Sequence, residues 1–399
     1  MSNNYKLTFL GCFFGLAGQA VITNLTAILF VPFMQLYGLE LWQLGVLIGV
    51  NFLSQLVADV ILTAIIDKVD YRKPILIAQT LAAAGLVFFA LVPNLFPRSG
   101  IFIGFLIATV VFAFSGGMQE VIISPMVDAF PDSKSKSFMM SVLHSFYAWG
   151  QVLAVVITAL WLFLFDSQSW QIITALWAIL PLVALVIFCV CPVSRRIPTK
   201  GEQTKAVFSP IMLFCMLAIF LGGGTEITAN QYVSTFCVLS LGFEKYVADL
   251  VGMGLFAACM GVGRVLFAKI SIKVDMNKIL IVTAASTFLL YLVAGLSPLP
   301  VVSMIAAILC GFSSSVLWPG VLTVAGAKFP KGGALIFALL AIFGDVGGSL
   351  IPTVIGFVAD NSSLETAFTI GSIVPLCCLI CHLCVAFISN KKTGKVKEK

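Results

Sequence analysis

Long apolar runs separated by short polar stretches follow one another along the whole chain. A helix needs about 20 apolar residues to cross a bilayer. The runs predict twelve transmembrane helices, near 7–33, 42–66, 74–95, 101–129, 138–165, 169–191, 207–239, 246–270, 277–297, 299–326, 332–358 and 365–388. The first run lacks a small-residue cleavage site, so we interpret it as a span and not as a signal peptide.

One hydrophilic segment interrupts the middle of this pattern. Residues 192–206 are rich in charge, proline and glycine, and they separate 1–191 from 207–399. We interpret the two flanking parts as an N-terminal and a C-terminal bundle of six helices each. The segment between them is then a cytoplasmic linker.

Short repeats indicate that the two halves are related. Lys-Val-Asp occurs at 68–70 and again at 273–275, in both cases at the end of an even-numbered span. DAFP at 128–131 has a counterpart in AKFP at 327–330. Parallel repeats of this kind are a known plan of transporters. We therefore predict an all-α membrane protein of twelve helices in two pseudo-symmetric six-helix bundles.

Composition excludes a soluble protein. Of the 399 residues, 60% are hydrophobic and 10% are charged, and the mean hydropathy is +1.10. A soluble surface needs more charge than this. No phosphate-binding loop and no pairing of a nucleophile with a base is present, so direct use of ATP and an enzymatic function are both disfavoured.

The placement of the positive charges predicts the topology. With a cytoplasmic N-terminus, all but three of the 23 basic residues lie in inner loops, tails or helix ends, the exceptions being Arg98, Lys245 and Arg264. This bias predicts that both termini lie in the cytoplasm. We expect the protein in the cell membrane. The net charge of +6 therefore reports topology and not nucleic-acid binding.

The loop after the second span resembles a known signature. Asp67, Lys68, Arg72, Lys73 and Pro74 fit the major facilitator pattern G-x-x-x-D-R/K-x-G-R-R/K, although Thr63 and Asp70 stand where glycines are usual. The chain thus resembles the major facilitator superfamily. That resemblance implies two six-helix halves that rock around a central site, lined by the first, fourth, seventh and tenth spans.

The fourth span resembles one branch of that superfamily. Gly117, Glu120 and Pro125 fit the pattern G-x-x-E-x-x-x-x-P of the fucose/galactose/glucose–proton symporter family, and 144–156, 313–323 and 344–360 are similar to other spans of its members. Family members can carry an acid near the outer end of the first span. No acid occurs here at 23–33.

Glu120 is an acid inside an apolar run, and Glu226 is another. A lone carboxylate is costly inside a membrane, and such residues mark ion or substrate pathways. We therefore interpret both as proton-coupling and substrate-binding residues. The alternative is an acid that is permanently paired with a base and holds helices together.

The seventh span combines glycines with polar residues. Gly222, Gly223 and Gly224 are consecutive, and three glycines weaken a helix, which can expose backbone groups at a binding site. Close helix packing through glycine is the alternative. Tyr232 could stack on a sugar. Together with polar groups of the first span and a tryptophan of the tenth, the candidate substrate-binding residues are Gln19, Thr23, Asn24, Glu120, Glu226, Asn230, Gln231 and Trp318.

A further set of charges lies at span ends or on predicted gate helices. Arg264 is buried in the eighth span and needs an acid, for which Asp345 or Glu226 could serve. Arg264 could form a static salt bridge between gate helices, or it could release its acid when the transporter changes face, and the sequence leaves both alternatives open. The candidate gating residues are Asp59, Asp67, Arg72, Lys73, Arg264 and Asp345.

These observations predict a secondary active transporter that imports a small neutral polar solute, most simply a sugar, with protons. The alternatives are an exporter, a carrier of a nucleoside, amino acid or drug, and a non-transporting sensor on the same fold. The expected partners are the solute, protons and the lipid bilayer, with no nucleic acid, and the protein is expected to be a monomer. No cofactor or metal is expected, because Cys377, Cys378, Cys381, His382 and Cys384 lie in an apolar span without polar neighbours.

Overall fold

The computed structural model describes residues 3–65, 69–128, 136–193, 209–329 and 333–397. These residues form helices joined by short turns. The first half of the chain contains α1 (Asn3–Ile28), α2 (Phe30–Tyr37), α3 (Leu41–Ile65), α4 (Arg72–Leu95), α5 (Ile101–Asp128), α6 (Lys136–Phe165), α7 (Trp170–Trp177) and α8 (Ile179–Val190).

The second half begins with the long helix α9. Its helices are α9 (Pro210–Leu239), α10 (Lys245–Val247), α11 (Leu255–Ile270), α12 (Met276–Leu296), α13 (Pro300–Ser314), α14 (Leu317–Lys328), α15 (Gly333–Asn361), α16 (Leu364–Gly371) and α17 (Ile373–Lys397). A π-helical turn, Ala248–Gly254, joins α10 to α11.

Local sequence signals explain several helix ends. Proline occupies the first turn of α9 and of α13, where its missing N–H costs nothing. The Asp275 carboxylate accepts from the backbone N–H of Asn277 at 3.0 Å and caps α12. Gly38 ends α2 in the left-handed conformation, at φ 70°.

Eleven helices among the described residues are long and apolar enough to cross a membrane, and one further apolar helix, Trp149–Phe165, is shorter. The protein is therefore a multi-pass membrane protein. The shorter helix belongs to α6, the counterpart of the predicted fifth span. Several predicted spans consist of two helices. In the tenth span, α13 and α14 are separated at Ser315–Val316.

The chain forms two compact units. The first comprises Met1–Pro198 with Glu244–Leu250, and the second comprises Thr199–Phe243 with Val251–Lys399. The predicted linker lies outside the described residues from 194 onward.

Both units pack their helices in the same order. In the first unit α1 packs against α6 and α8, α5 packs against α3 and α4, and α8 packs against α4. In the second unit α9 packs against α15 and α17, α13 packs against α11 and α12, and α17 packs against α12. This is the arrangement that a duplicated six-helix unit would have.

Each unit has its own apolar core. In the first unit, buried side chains that include Leu16, Ile75, Ile122 and Phe188 join α1, α4, α5 and α8. In the second unit the core joins α9, α12, α14 and α17. These cores fix the helices that carry the polar side chains described next.

Candidate functional site

Glu120 lies on α5 in the first unit and has an exposed side chain. The preceding residues, from Ser115 to Gln119, are buried. Gln19 of α1 donates from Nε2 to Glu120 Oε2 at 3.5 Å, a long hydrogen bond. Among the described side chains, Gln19 is the one bonded to this carboxylate, so its partner is a neutral amide.

Two glycines bring α5 close to α3 just before Glu120. A Cβ on Gly116 would lie 3.0 Å from Gln55 Oε1, and a Cβ on Gly117 would lie 2.7 Å from Asp59 Oδ1 and would overlap the Gln55 carbonyl oxygen. Only glycine permits this approach. Asp59 is buried here, which places this predicted gating residue against α5.

A chain of amides continues from α3 to α1. Gln55 donates to Asn51 Oδ1 at 2.7 Å, and Asn51 donates to the Ile22 carbonyl at 3.0 Å. All of these side chains lie inside the unit. The Glu120 region is therefore bordered by amides of two neighbouring helices, with the buried Asp59 carboxyl group of α3 at the level of Gly117.

Two further predicted binding residues of α1 bond to their own helix. Thr23 Oγ1 donates to the Gln19 carbonyl at 3.0 Å, and Asn24 Nδ2 donates to the Ala20 carbonyl at 2.8 Å. Both side chains are buried. These donors stabilise α1 locally, whereas Gln19 reaches across to α5.

The second unit holds an ion pair. Arg264 of α11 and Glu226 of α9 are joined at 2.8 Å, with 29% of the arginine side chain and 12% of the glutamate side chain exposed. Arg264 Nε also donates to the Ser315 carbonyl at 3.4 Å, at the interruption between α13 and α14. Of the two acids considered for Arg264, Glu226 is thus the bonded one, while Asp345 is buried on α15.

The predicted break at Gly222–Gly224 is wrong. Helix α9 runs without interruption from Pro210 to Leu239. A Cβ on Gly223 would lie 2.7 Å from the Trp318 ring, and one on Gly224 would lie 2.9 Å from the Gly347 carbonyl oxygen. The glycines allow α14 and α15 to pack closely on α9, which is the alternative that the sequence left open.

The polar residues that follow on α9 are inside the protein. Asn230 and Gln231 are buried, and Tyr232 is fully buried and donates to the Pro352 carbonyl at 3.1 Å. The expectation that Tyr232 stacks on a sugar is therefore wrong, because its ring and hydroxyl are both engaged in packing. Trp318 is half-buried, and its ring lies against Gly223 and Gly344.

The charged loop after α3 is partly described. Arg72 donates from Nη1 to the carbonyls of Phe188 (3.1 Å) and Cys189 (2.8 Å) and from Nη2 to that of Cys191 (2.7 Å), which ties the start of α4 to the end of α8. Lys73 is exposed. Asp67 lies outside the described residues.

One buried pair escaped the sequence analysis. Gln79 of α4 donates to Gln119 Oε1 of α5 at 2.9 Å, and both side chains are fully buried. Neither residue carries a charge, so neither stands out in an apolar run. Within the described part of the chain, no group of three His, Cys, Asp or Glu side chains could hold a metal ion.

Comparisons with known proteins agree with this architecture. The family model described as Major Facilitator Superfamily matches residues 8–332 and 277–399. The comparison with curated protein sequences found no match.

Several solved structures share the fold. A variant of the E. coli fucose:proton symporter FucP matches with a TM-score of 0.66 at 17% identity, over 96% of this chain and 99% of that one. FucP in an outward conformation matches with a TM-score of 0.66 at 19% sequence identity, over 96% of this chain and 99% of that one. A bacterial homologue of the human lysosomal transporter Spinster, in an inward-facing and occupied conformation, matches with a TM-score of 0.79 at 12% sequence identity, over 97% of both chains.

Proposed function

The chain belongs to the major facilitator superfamily, a family of transporters and not of enzymes, and from this premise we propose that it is a proton-coupled symporter of a small neutral polar solute. A sugar is the best-supported solute, since FucP shares the fold and is a fucose:proton symporter. The proposed location is the cell membrane, with both termini in the cytoplasm.

The observation that carries the proposal is the bonding of Glu120. An ionisable residue within a membrane helix is a functional-site candidate. This one is exposed and held by a neutral amide, Gln19. Among the described residues no cation is bonded to it, so its proton can come and go without leaving one uncompensated. An amide also suits both forms, because it donates to a carboxylate and accepts from a carboxylic acid.

Glu226 is bonded to a cation and not to an amide, so we propose a different role for it. Its charge is balanced by Arg264 at 2.8 Å. Loss of that charge would leave the arginine with only the Ser315 carbonyl and the Met260 sulfur as bonded partners among the described residues. We propose that this pair holds α9, α11 and the α13–α14 interruption together in the second unit, and that it opens when the transporter changes state.

The solute contacts are proposed to include Glu120, which is exposed, and its bonded partner Gln19, which is buried. Gln19 and Glu120 offer an amide and a carboxylate to hydroxyl groups, which is the chemistry a neutral polyol requires. Asn24, Asn230 and Gln231, which are buried, support the helices that carry these groups.

Uptake in proteoliposomes tests the proposal. Radiolabelled fucose, galactose and glucose are offered with and without an imposed pH gradient to the wild type and to Glu120→Gln. We expect the gradient to drive accumulation of at least one sugar by the wild type. Glu120→Gln should lose uphill accumulation, because its amide cannot exchange a proton, while exchange of labelled for unlabelled sugar persists.

A matched control is Glu244→Gln, which removes an exposed carboxylate at a turn. It should accumulate sugar like the wild type. Normal uphill uptake by Glu120→Gln would exclude Glu120 as the proton carrier.

A carrier of another solute is the second candidate. The observation that favours it is the higher TM-score with the Spinster homologue, together with the absence of an acid at 23–33. Failure of every sugar in the same assay, with a folded protein, would favour this candidate.

A further inference from the structure

The pair Gln79–Gln119 lies at a junction of three helices. The amides of α4 and α5 are joined at 2.9 Å and are fully buried. Gly15 of α1 completes the junction, since a Cβ there would lie 3.1 Å from Gln119 Oε1 and 3.2 Å from Gln79 Nε2. The amide pair therefore fills the space that this glycine leaves.

The same two stretches of α1 and α5 carry the Gln19–Glu120 contact. On α1, Gly15 and Gln19 are one turn apart, so they lie on one face of the helix. On α5, Gln119 and Glu120 are consecutive and point about 100° apart. A rotation of α5 about its axis moves both side chains together. A contact that fixes Gln119 against α4 thus also fixes the direction in which the Glu120 side chain projects from α5.

Stability alone explains the pair poorly. Each amide has one buried atom without a hydrogen-bond partner among the described residues, Oε1 of Gln79 and Nε2 of Gln119. Such orphaned groups cost free energy, whereas two apolar side chains of similar size would fill the space without that cost. The directional bond between the amides is what an apolar pair would not supply.

We propose that Gln79 and Gln119 are positioning residues that set the rotation of α5 and so hold Glu120 against Gln19. The inference rests on the proposed role of Glu120 as the proton carrier. The pair acts together with Gly116 and Gly117, which fix the distance of α5 from α3. The positioning groups are uncharged, so they direct the carboxylate without pairing with it.

The charges around Glu120 bear on any pH effect. Of the described charged side chains on α1, α3 and α4, Asp59 is the one at the level of Gly117. Lys6 of α1 lies about two and a half turns from Gly15, and Arg72 and Lys73 of α4 lie about two turns from Gln79. On α6, which packs against α5, Tyr147 is a titratable group with a described, half-buried side chain, whereas the side chains of Lys136 and His144 lie outside the described set. The variants below change none of these groups.

The test compares the pH dependence of gradient-driven uptake in Gln79→Leu, Gln119→Leu and the double variant. We expect the proton concentration for half-maximal uptake to change by about threefold in each, the factor that corresponds to a typical interhelical hydrogen bond in a membrane. Sugar exchange without a gradient should keep its maximal rate. Gln171→Leu is the matched control, because Gln171 donates to Asn94 Oδ1 at 2.7 Å in another α4 contact of the same unit.

A second variant covers the case in which the leucine variants fail to fold. Gly15→Ala keeps both amides but forces them to shift by a few tenths of an ångström. It should change the pH profile in the same way. An unchanged profile in every folded variant would overturn the positioning role.

The outcome for Glu120→Gln separates this inference from the proposed function. If Glu120→Gln loses uphill uptake while Gln79→Leu and Gln119→Leu behave like the wild type, Glu120 remains the proton carrier and the positioning role is wrong. If Glu120→Gln accumulates sugar normally, the proposed function itself has failed.

Discussion

Two acids that look alike in the sequence have different surroundings. Glu120 and Glu226 each interrupt an apolar run, and that signal was enough to single them out. In the structure one is bonded by an amide and the other by a guanidinium. The partner decides what an acid can do, since a carboxylate paired with a cation is already neutralised whereas one beside an amide is not.

The Arg264–Glu226 pair leads to a prediction about stability. Arg264→Met leaves Glu226 partly buried without its counter-charge, and we expect a loss of about 2 kcal/mol, below the ~3–5 kcal/mol of a fully buried pair because the arginine is partly exposed. The double variant Glu226→Gln/Arg264→Met should recover part of this loss. Thermal unfolding in detergent, followed by size-exclusion chromatography, measures both.

Arg98→Met is the control for that experiment. Arg98 makes one exposed contact, a 3.4 Å bond to the Leu36 carbonyl, so its loss should leave the melting temperature nearly unchanged. Equal melting temperatures for Arg264→Met and Arg98→Met would show that the ion pair does not stabilise the second unit.

At this scale the sequence revealed charges but not their partners. Gln79 and Gln119 are separated by 40 positions, and an uncharged amide in an apolar run gives no periodic signal. Arg264 needed an acid by physical necessity, yet the choice between Glu226 and Asp345 depended on helix packing that the sequence does not encode locally.

At the scale of helices, glycine was the hardest residue to interpret. A run of three can break a helix or allow another helix to approach. In α9 the close contacts with α14 and α15 keep the helix continuous. Helix existence was predictable from apolar length. The breaks at Leu29, Ala178, Ser315–Val316 and Ser372 each lie three residues before a proline (Pro32, Pro181, Pro319 and Pro375), which has no N–H for the helical hydrogen bond and clashes with the preceding turn. Proline alone did not predict them, because Pro93 and Pro352 lie inside continuous helices.

The close contact of α9 with α15 predicts a severe effect at one glycine. A Cβ on Gly347 would overlap the carbonyl oxygen of Phe220, a backbone atom that cannot turn aside. Gly347→Ala should therefore force α9 and α15 apart, and we expect loss of the monodisperse peak in size-exclusion chromatography.

Gly18→Ala is the matched glycine substitution in the first unit. Its Cβ would lie 3.6 Å from Pro181 Cδ, an ordinary contact. Alanine also favours the helix by about 0.5–1 kcal/mol over glycine. This variant should be as stable as the wild type or more so, and a folded Gly347→Ala protein would contradict the packing argument.

At the scale of the whole molecule, repetition and charge were the informative signals. The recurrence of Lys-Val-Asp and the equal halves predicted a duplicated unit, and the two units show the same packing order. The loop signature led to the superfamily, which the family model confirms. The identity of the solute could not be predicted from the sequence, because a few side chains select it and their positions depend on how the helices are rotated about their axes.

The distribution of basic residues gives a last prediction, the orientation of the chain in the membrane. Lysine and arginine are retained on the cytoplasmic side. Fluorescent protein fused to the C-terminus should therefore fluoresce, and alkaline phosphatase inserted after Asp166, in the turn between α6 and α7, should be active outside. Phosphatase inserted after Asp70, between α3 and α4, is the control and should be inactive. The opposite pattern would place Arg72 and Lys73 outside and would contradict the proposed cytoplasmic location of both termini.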